Sequence, residues 1–220
     1  LRRVDIQQPI LAQQIAQRID LGRAQLGGQP TWQCTAGSHD RDRGAVAAAA
    51  AGTLAFMCGG TAETFEKARL ILADMGKNIF HVGESIGQGQ VVKAALQALI
   101  GASFTAIFES LVLGTKAGAD PEILYDVFCA SGVGSGLLKG CGALILDRKF
   151  EDTGSHIATM YKDLGISMAM ARENGCAVFT AATAYELFQT GISLYPEGDN
   201  WAIVKFLENI AGTEVKRSGS

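Results

Sequence analysis

Between Glu84 and Glu109 the chain carries one charged residue, Lys93, in a stretch otherwise built from aliphatic, aromatic, small and amide side chains. Within it Val92, Leu96, Leu99, Ile100, Phe104, Ile107, Phe108 and Leu111 recur at i, i+4, i+7 and i+8 steps. That periodicity predicts one helix of roughly thirty residues, about 45 Å long. Its other face is mostly Ala, Gly and Ser, so neighbours are expected to enclose it on nearly every side, some from a second subunit.

The rest of the chain can supply such an enclosure. It has 220 residues, 48% apolar and 19% charged, enough to bury a core. A net charge of -3 gives no basic field for a phosphate backbone, so nucleic acid is not an expected partner. The charge-free run Gly44–Ala62 nears the length of a bilayer span but is mostly alanine and broken by glycines, and no membrane span is inferred from it. No signal peptide is read at the N-terminus. Five cysteines without a C-x-x-C pair argue against a disulfide framework or a structural zinc, and a reducing cytoplasm is expected.

Along the chain, Leu11, Ile15 and Ile19 suggest a short helix over Ile10–Ile19. Residues 25–44, with Gly27, Gly28, Pro30 and the polar tract Ser38–Gly44, read as an irregular loop. A buried strand over Thr53–Cys58, a helix capped by Thr61 and closed by a left-handed Gly76, and a strand over Asn78–Val82 make one β-α-β unit. After Gly83 only helices are expected: the long one, one launched by Asp120-Pro121, then Gly134–Leu146, His156–Asn174 closed by Gly175, Ala177–Tyr195 and Trp201–Ile210. Three regions follow, namely 1–83, an all-helical 84–215, and a disordered tail over 216–220.

Lys93 is the residue most suited to chemistry. Burial penalises its ammonium, and a lysine pushed toward neutrality can exchange a proton with a substrate hydroxyl. The plain alternative is a lysine extending from the helix to water. Gln97, one turn further on the same face, would add an amide to the same site, or be satisfied by neighbouring helices. Gly87-Gln88-Gly89 would let another backbone approach closely and leave N–H groups for an anion. No G-x-G-x-x-G occurs anywhere in the chain. Lys162-Asp163 reads as a solvated ion pair on a helix whose other turns carry Ile157, Met160, Met168 and Met170. His39, His81 and His156 lack the spacing of a metal site, and none is expected.

In order and spacing, Gly52-Thr53-Leu54-Ala55-Phe56-Met57-Cys58-Gly59-Gly60, Met75-Gly76-Lys77-Asn78-Ile79, Gly87-Gln88-Gly89-Gln90-Val91-Val92-Lys93, Glu109-Ser110-Leu111-Val112-Leu113-Gly114, Ala117-Gly118-Ala119-Asp120-Pro121 and Lys162-Asp163-Leu164-Gly165 resemble the β-hydroxyacid dehydrogenase family. The similarity covers roughly residues 45–212, the C-terminal portion of such an enzyme, of the 3-hydroxyisobutyrate or 6-phosphogluconate dehydrogenase kind. The resemblance implies a mainly α fold: a β-α-β remnant of a Rossmann domain, then the long helix leading into an all-α C-terminal domain that pairs subunits as a homodimer. It implies NAD(P)-linked oxidation of a small 3-hydroxy acid such as 3-hydroxyisobutyrate, with NAD or NADP as cofactor. Lys93 falls on the family's catalytic lysine; Gln97, Gly89 and Gly44 fall on substrate-contacting positions; Lys162 falls on a lysine beside the nicotinamide. Gln97 stands where many relatives carry asparagine, with glutamine in those acting on sugar acids such as threonate. Two departures weigh against activity: the glycine-rich phosphate loop is absent, and only Gly44 remains of the substrate-carboxylate loop. The expected function is therefore a truncated 3-hydroxyacid dehydrogenase with impaired cofactor binding, the alternative being a non-catalytic helical dimerisation module derived from that family.

Overall fold

A computed structural model describes residues 32–38 and 52–218. The expected helix over Ile10–Ile19, most of the polar tract, and Gly44 lie outside the described residues. Two compact units divide the chain between Lys93 and Ala94, ten residues beyond the boundary suggested after Gly83.

The first unit holds a three-stranded sheet of β1 (Trp32–Ser38), β2 (Leu54–Gly60) and β3 (Asn78–Gly83) in that spatial order. β2 and β3 are parallel and joined through helix α1 (Ala62–Leu72), the β-α-β unit that the sequence suggests. Every residue of β2 is buried, as a strand covered on both faces requires. Phe65, Ala68 and Leu72 recur at helical spacing on α1 and pack with Trp32, Leu54, Phe56 and Met75. The Thr61 side chain accepts from the Thr64 amide and starts the helix. Gly76 does not take the left-handed conformation expected of it. Its place is fixed by crowding, since a Cβ there would sit 2.1 Å from the Leu54 carbonyl oxygen.

β1 corrects two expectations. Residues 32–38, read as part of an irregular loop, form a strand antiparallel to β2 that satisfies the free edge of β2. Flanking glycines, proline and charges hid it, because a seven-residue edge strand needs little pattern of its own once a buried neighbour offers its backbone. The register sets Cys34 opposite Cys58 with Cα atoms 4.0 Å apart, and the two are joined by a disulfide. Cysteine spacing along the chain carried no sign of it, since spatial pairing rather than spacing decides.

The second unit contains helix α2 (Gln88–Lys116) from Ala94 onward, α3 (Pro121–Ala130), α4 (Gly136–Leu146), α5 (Ile157–Glu173), α6 (Phe179–Leu194), a 3-10 turn (Asn200–Ala202) and α7 (Ile203–Ala211). Phe104, Phe108, Leu111 and Val112 of α2 meet Leu138, Ile145, Leu146, Ile157, Leu164, Phe188 and Val204 in one core. Burying each of these large side chains contributes about 1.5–3 kcal/mol. Asp120 accepts from the Glu122 and Ile123 amides beside Pro121, and Gly175 closes α5 at φ 63°, both as expected.

α2 is less enclosed than its composition suggests: Leu99 and Leu113 are 64% and 72% exposed, leaving an apolar stripe open in the single chain. By length and composition it could cross a membrane, a property shared by core helices, and Phe104, Phe108 and Leu111 of α2 lie in a helical core. The tail is not disordered through Ser218. Val215 is fully buried, its amide donates to Glu208, and Arg217 bridges Asp147 and Glu122 while Ser218 donates to Glu122 and Asp120. Charge pairing between chain end and helix starts, invisible to local periodicity, orders it.

Candidate functional site

α2 carries Lys93 and Gln97 one turn apart on one face. Lys93, at the end of the first unit, is partly buried. Gln97, in the second unit, is 7% exposed. Its Nε2 donates to Asp163 Oδ2 on α5 at 2.5 Å, and Lys162 Nζ lies 2.9 Å from Asp163 Oδ1. The expected Lys162–Asp163 ion pair is thus made, but only Lys162 is the solvated partner: its side chain is 66% exposed and that of Asp163 15%. Asp163 is the polar residue that sequence reasoning passed over. It lies four residues before Ser167, whose hydroxyl donates to the Ala94 carbonyl at 2.8 Å on the same helix as Gln97, a docking that the local sequence does not show.

The start of α2 differs from the anion cradle anticipated there. The Gln88 amide donates to Ser85, and the Gln90 and Val91 amides both donate to Gly87. Gly89 is buried against β2, where a Cβ would stand 2.3 Å from the Met57 carbonyl oxygen. Gly89 therefore permits helix-on-strand contact. The start of α1 is likewise closed by Thr61. Among the described residues these helix starts carry no glycine-rich phosphate loop. No cluster of three metal-ligating side chains occurs among the described residues. A groove between α2 and α6, lined by Ala102, Thr105, Glu109, Phe179 and Thr183, lies about two turns along α2 from Gln97 and holds none of these groups.

Residues 87–207, which include Lys93, Gln97, Lys162 and Asp163, match the family model described as NAD-binding of NADP-dependent 3-hydroxyisobutyrate dehydrogenase. The chain belongs to the β-hydroxyacid dehydrogenase family. Residues 43–83 also match the model for the NAD binding domain of 6-phosphogluconate dehydrogenase. The chain is 36% identical over 162 residues to 3-hydroxyisobutyrate dehydrogenase of Pseudomonas aeruginosa, covering 71% of this chain and 53% of that protein. It is 30% identical over 168 residues to L-threonate dehydrogenase of Cupriavidus necator, with 76% and 56% covered. A solved structure of the Mycobacterium tuberculosis 3-hydroxyisobutyrate dehydrogenase with L-serine superposes with a TM-score of 0.72 at 26% identity, over 80% of this chain and 60% of that one. The chain thus spans about half the length of the curated relatives it matches. The described residues, mostly helical with a three-stranded sheet, share the fold of the matching part of that relative.

Proposed function

We propose that α2 of this family member carries the substrate-handling group of an oxidoreductase acting on a small 3-hydroxy acid. The observation that supports this reading is Gln97, buried and with its amide clamped by Asp163, one turn from the partly buried Lys93. Lys93 takes the hydroxyl proton as the carbon is oxidised, and Gln97 orients the hydroxy acid beside it. NAD or NADP supplies the hydride acceptor in this family, and Lys162 is assigned to its nicotinamide end by the same resemblance. The named activities of the relatives bring 3-hydroxyisobutyrate first and L-threonate second as candidate substrates, threonate being favoured by glutamine at position 97. A homodimer joined through the open stripe of α2, without nucleic acid or membrane, belongs to the same reading, as does a cytoplasmic setting.

A second reading is a helical dimerisation and binding module without catalysis. The open apolar stripe of α2, with Leu99 and Leu113 exposed, favours it. Isothermal titration of the whole chain with NAD+ and NADP+ separates the two. Micromolar binding of either supports the oxidoreductase, whereas no heat from either, together with a stable dimer in light scattering, supports the module.

A further inference from the structure

We propose that Asp163 is a positioning residue, which determines the end of the Gln97 amide that meets the ligand. This rests on the reading above in placing a ligand at Gln97, but its geometric basis is independent of substrate identity. A primary amide has a donor end and an acceptor end, and a half-turn of the terminal torsion exchanges them. A glutamine without a polar neighbour therefore presents no defined polarity. A carboxylate accepts only, so Asp163 Oδ2 at 2.5 Å obliges Gln97 to turn Nε2 toward it and leaves Oε1 on the other side. With Nε2 committed to Asp163, Gln97, itself 7% exposed, presents its acceptor end to the remaining space. That acceptor end is the one a ligand's O–H or N–H would meet.

The carboxylate is itself held. Its other oxygen is taken by Lys162, so the two oxygens are divided between two partners. α5 is fixed against α2 on either side of the pair. Ser167 hydrogen-bonds to the Ala94 carbonyl, and Leu164 fills the space that Gly101 leaves, where a Cβ would lie 2.7 Å from Leu164 Cδ2. Asp163 thus transmits the docking of α5 into the polarity of a side chain on α2, without touching the ligand.

The test uses the full chain with 15N-labelled glutamine, wild type, Asp163→Leu and Asp163→Asn, and sodium 3-hydroxyisobutyrate as probe. In the wild type one Gln97 side-chain N–H proton should be protected from exchange, and in Asp163→Leu that protection should vanish. Affinity for 3-hydroxyisobutyrate should fall about tenfold in Asp163→Leu, the scale of one charge-assisted hydrogen bond. Asp163→Asn, which accepts and donates, should show two sets of Gln97 side-chain signals and an intermediate affinity. Unchanged protection and unchanged affinity in Asp163→Leu overturn the inference while leaving the functional reading intact. If the wild type does not bind the probe, the functional reading fails, and the exchange comparison alone decides about Asp163. Should Asp163→Leu not fold, Asp163→Asn decides: a single Gln97 signal, protected as in the wild type, overturns the inference.

Discussion

Asp199 shows how a single buried side chain holds a loop that has no periodic structure of its own. It is 3% exposed, and its carboxylate accepts from the Thr153 amide at 2.7 Å, the Thr153 hydroxyl at 2.5 Å and the Ser155 amide at 3.0 Å. Removing it leaves two backbone donors without their acceptor. Asp199→Ala should therefore destabilise the helical unit by about 3 kcal/mol, because hydrogen bonds to charged groups contribute about 1.5–3 kcal/mol each and the losses share one site. For a chain of this size that is a fall in Tm of roughly 6–12 °C, read by differential scanning calorimetry. A shift below about 2 °C would show that water replaces the carboxylate. Lys93 and Gln97 were legible in the sequence because one charge and one amide stand out against apolar neighbours at helical spacing. Asp163 was not, since a lysine-aspartate step inside a helix has the same pattern whether its carboxylate faces water or a buried amide. Only the docking of α5 on α2 distinguishes the two.

Among elements, the helices could be read within a few residues because each has both a repeating apolar face and a chemical stop, such as Asp120-Pro121 before α3 and Gly175 after α5. β1 and the C-terminal segment could not, since their partners lie far away in sequence: β2 for the one, Asp147, Glu122 and Glu208 for the other. The C-terminal segment should also respond to pH. Hydrogen bonding from Arg217 holds the Asp147 carboxyl below the usual carboxylate range, and the Ile123 amide and Ser218 hydroxyl do the same for Asp120. A depressed folded-state pKa contributes stability that is complete above the unfolded value of about 4 and disappears as pH falls through the folded value. Both groups are largely exposed, so the effect is local rather than global. The protection factors of the Val215 and Arg217 amides should be high at pH 6 and fall below about pH 4, ahead of those of the α4 and α7 amides. Simultaneous loss in all of them would mean that the segment has no separate opening.

At the scale of the molecule, a small unit holding the sheet and one helix is followed by an all-helical unit, and the division falls within α2 rather than where the apolar pattern changes period. α2 crosses that division and carries Lys93 on one side and Gln97 on the other. In the proposed reading these two positions handle the substrate, and the polar contact between α5 and α2 orients Gln97. The most direct test of α2 as the substrate-handling element is a chemical-shift titration of the whole chain with 3-hydroxyisobutyrate, comparing wild type with Lys93→Met. The account predicts wild-type perturbations centred on residues 91–98 and 162–167, and their loss in a Lys93→Met chain whose remaining spectrum is unchanged. Perturbations that persist in Lys93→Met, or that centre on the groove around Phe179, would contradict it.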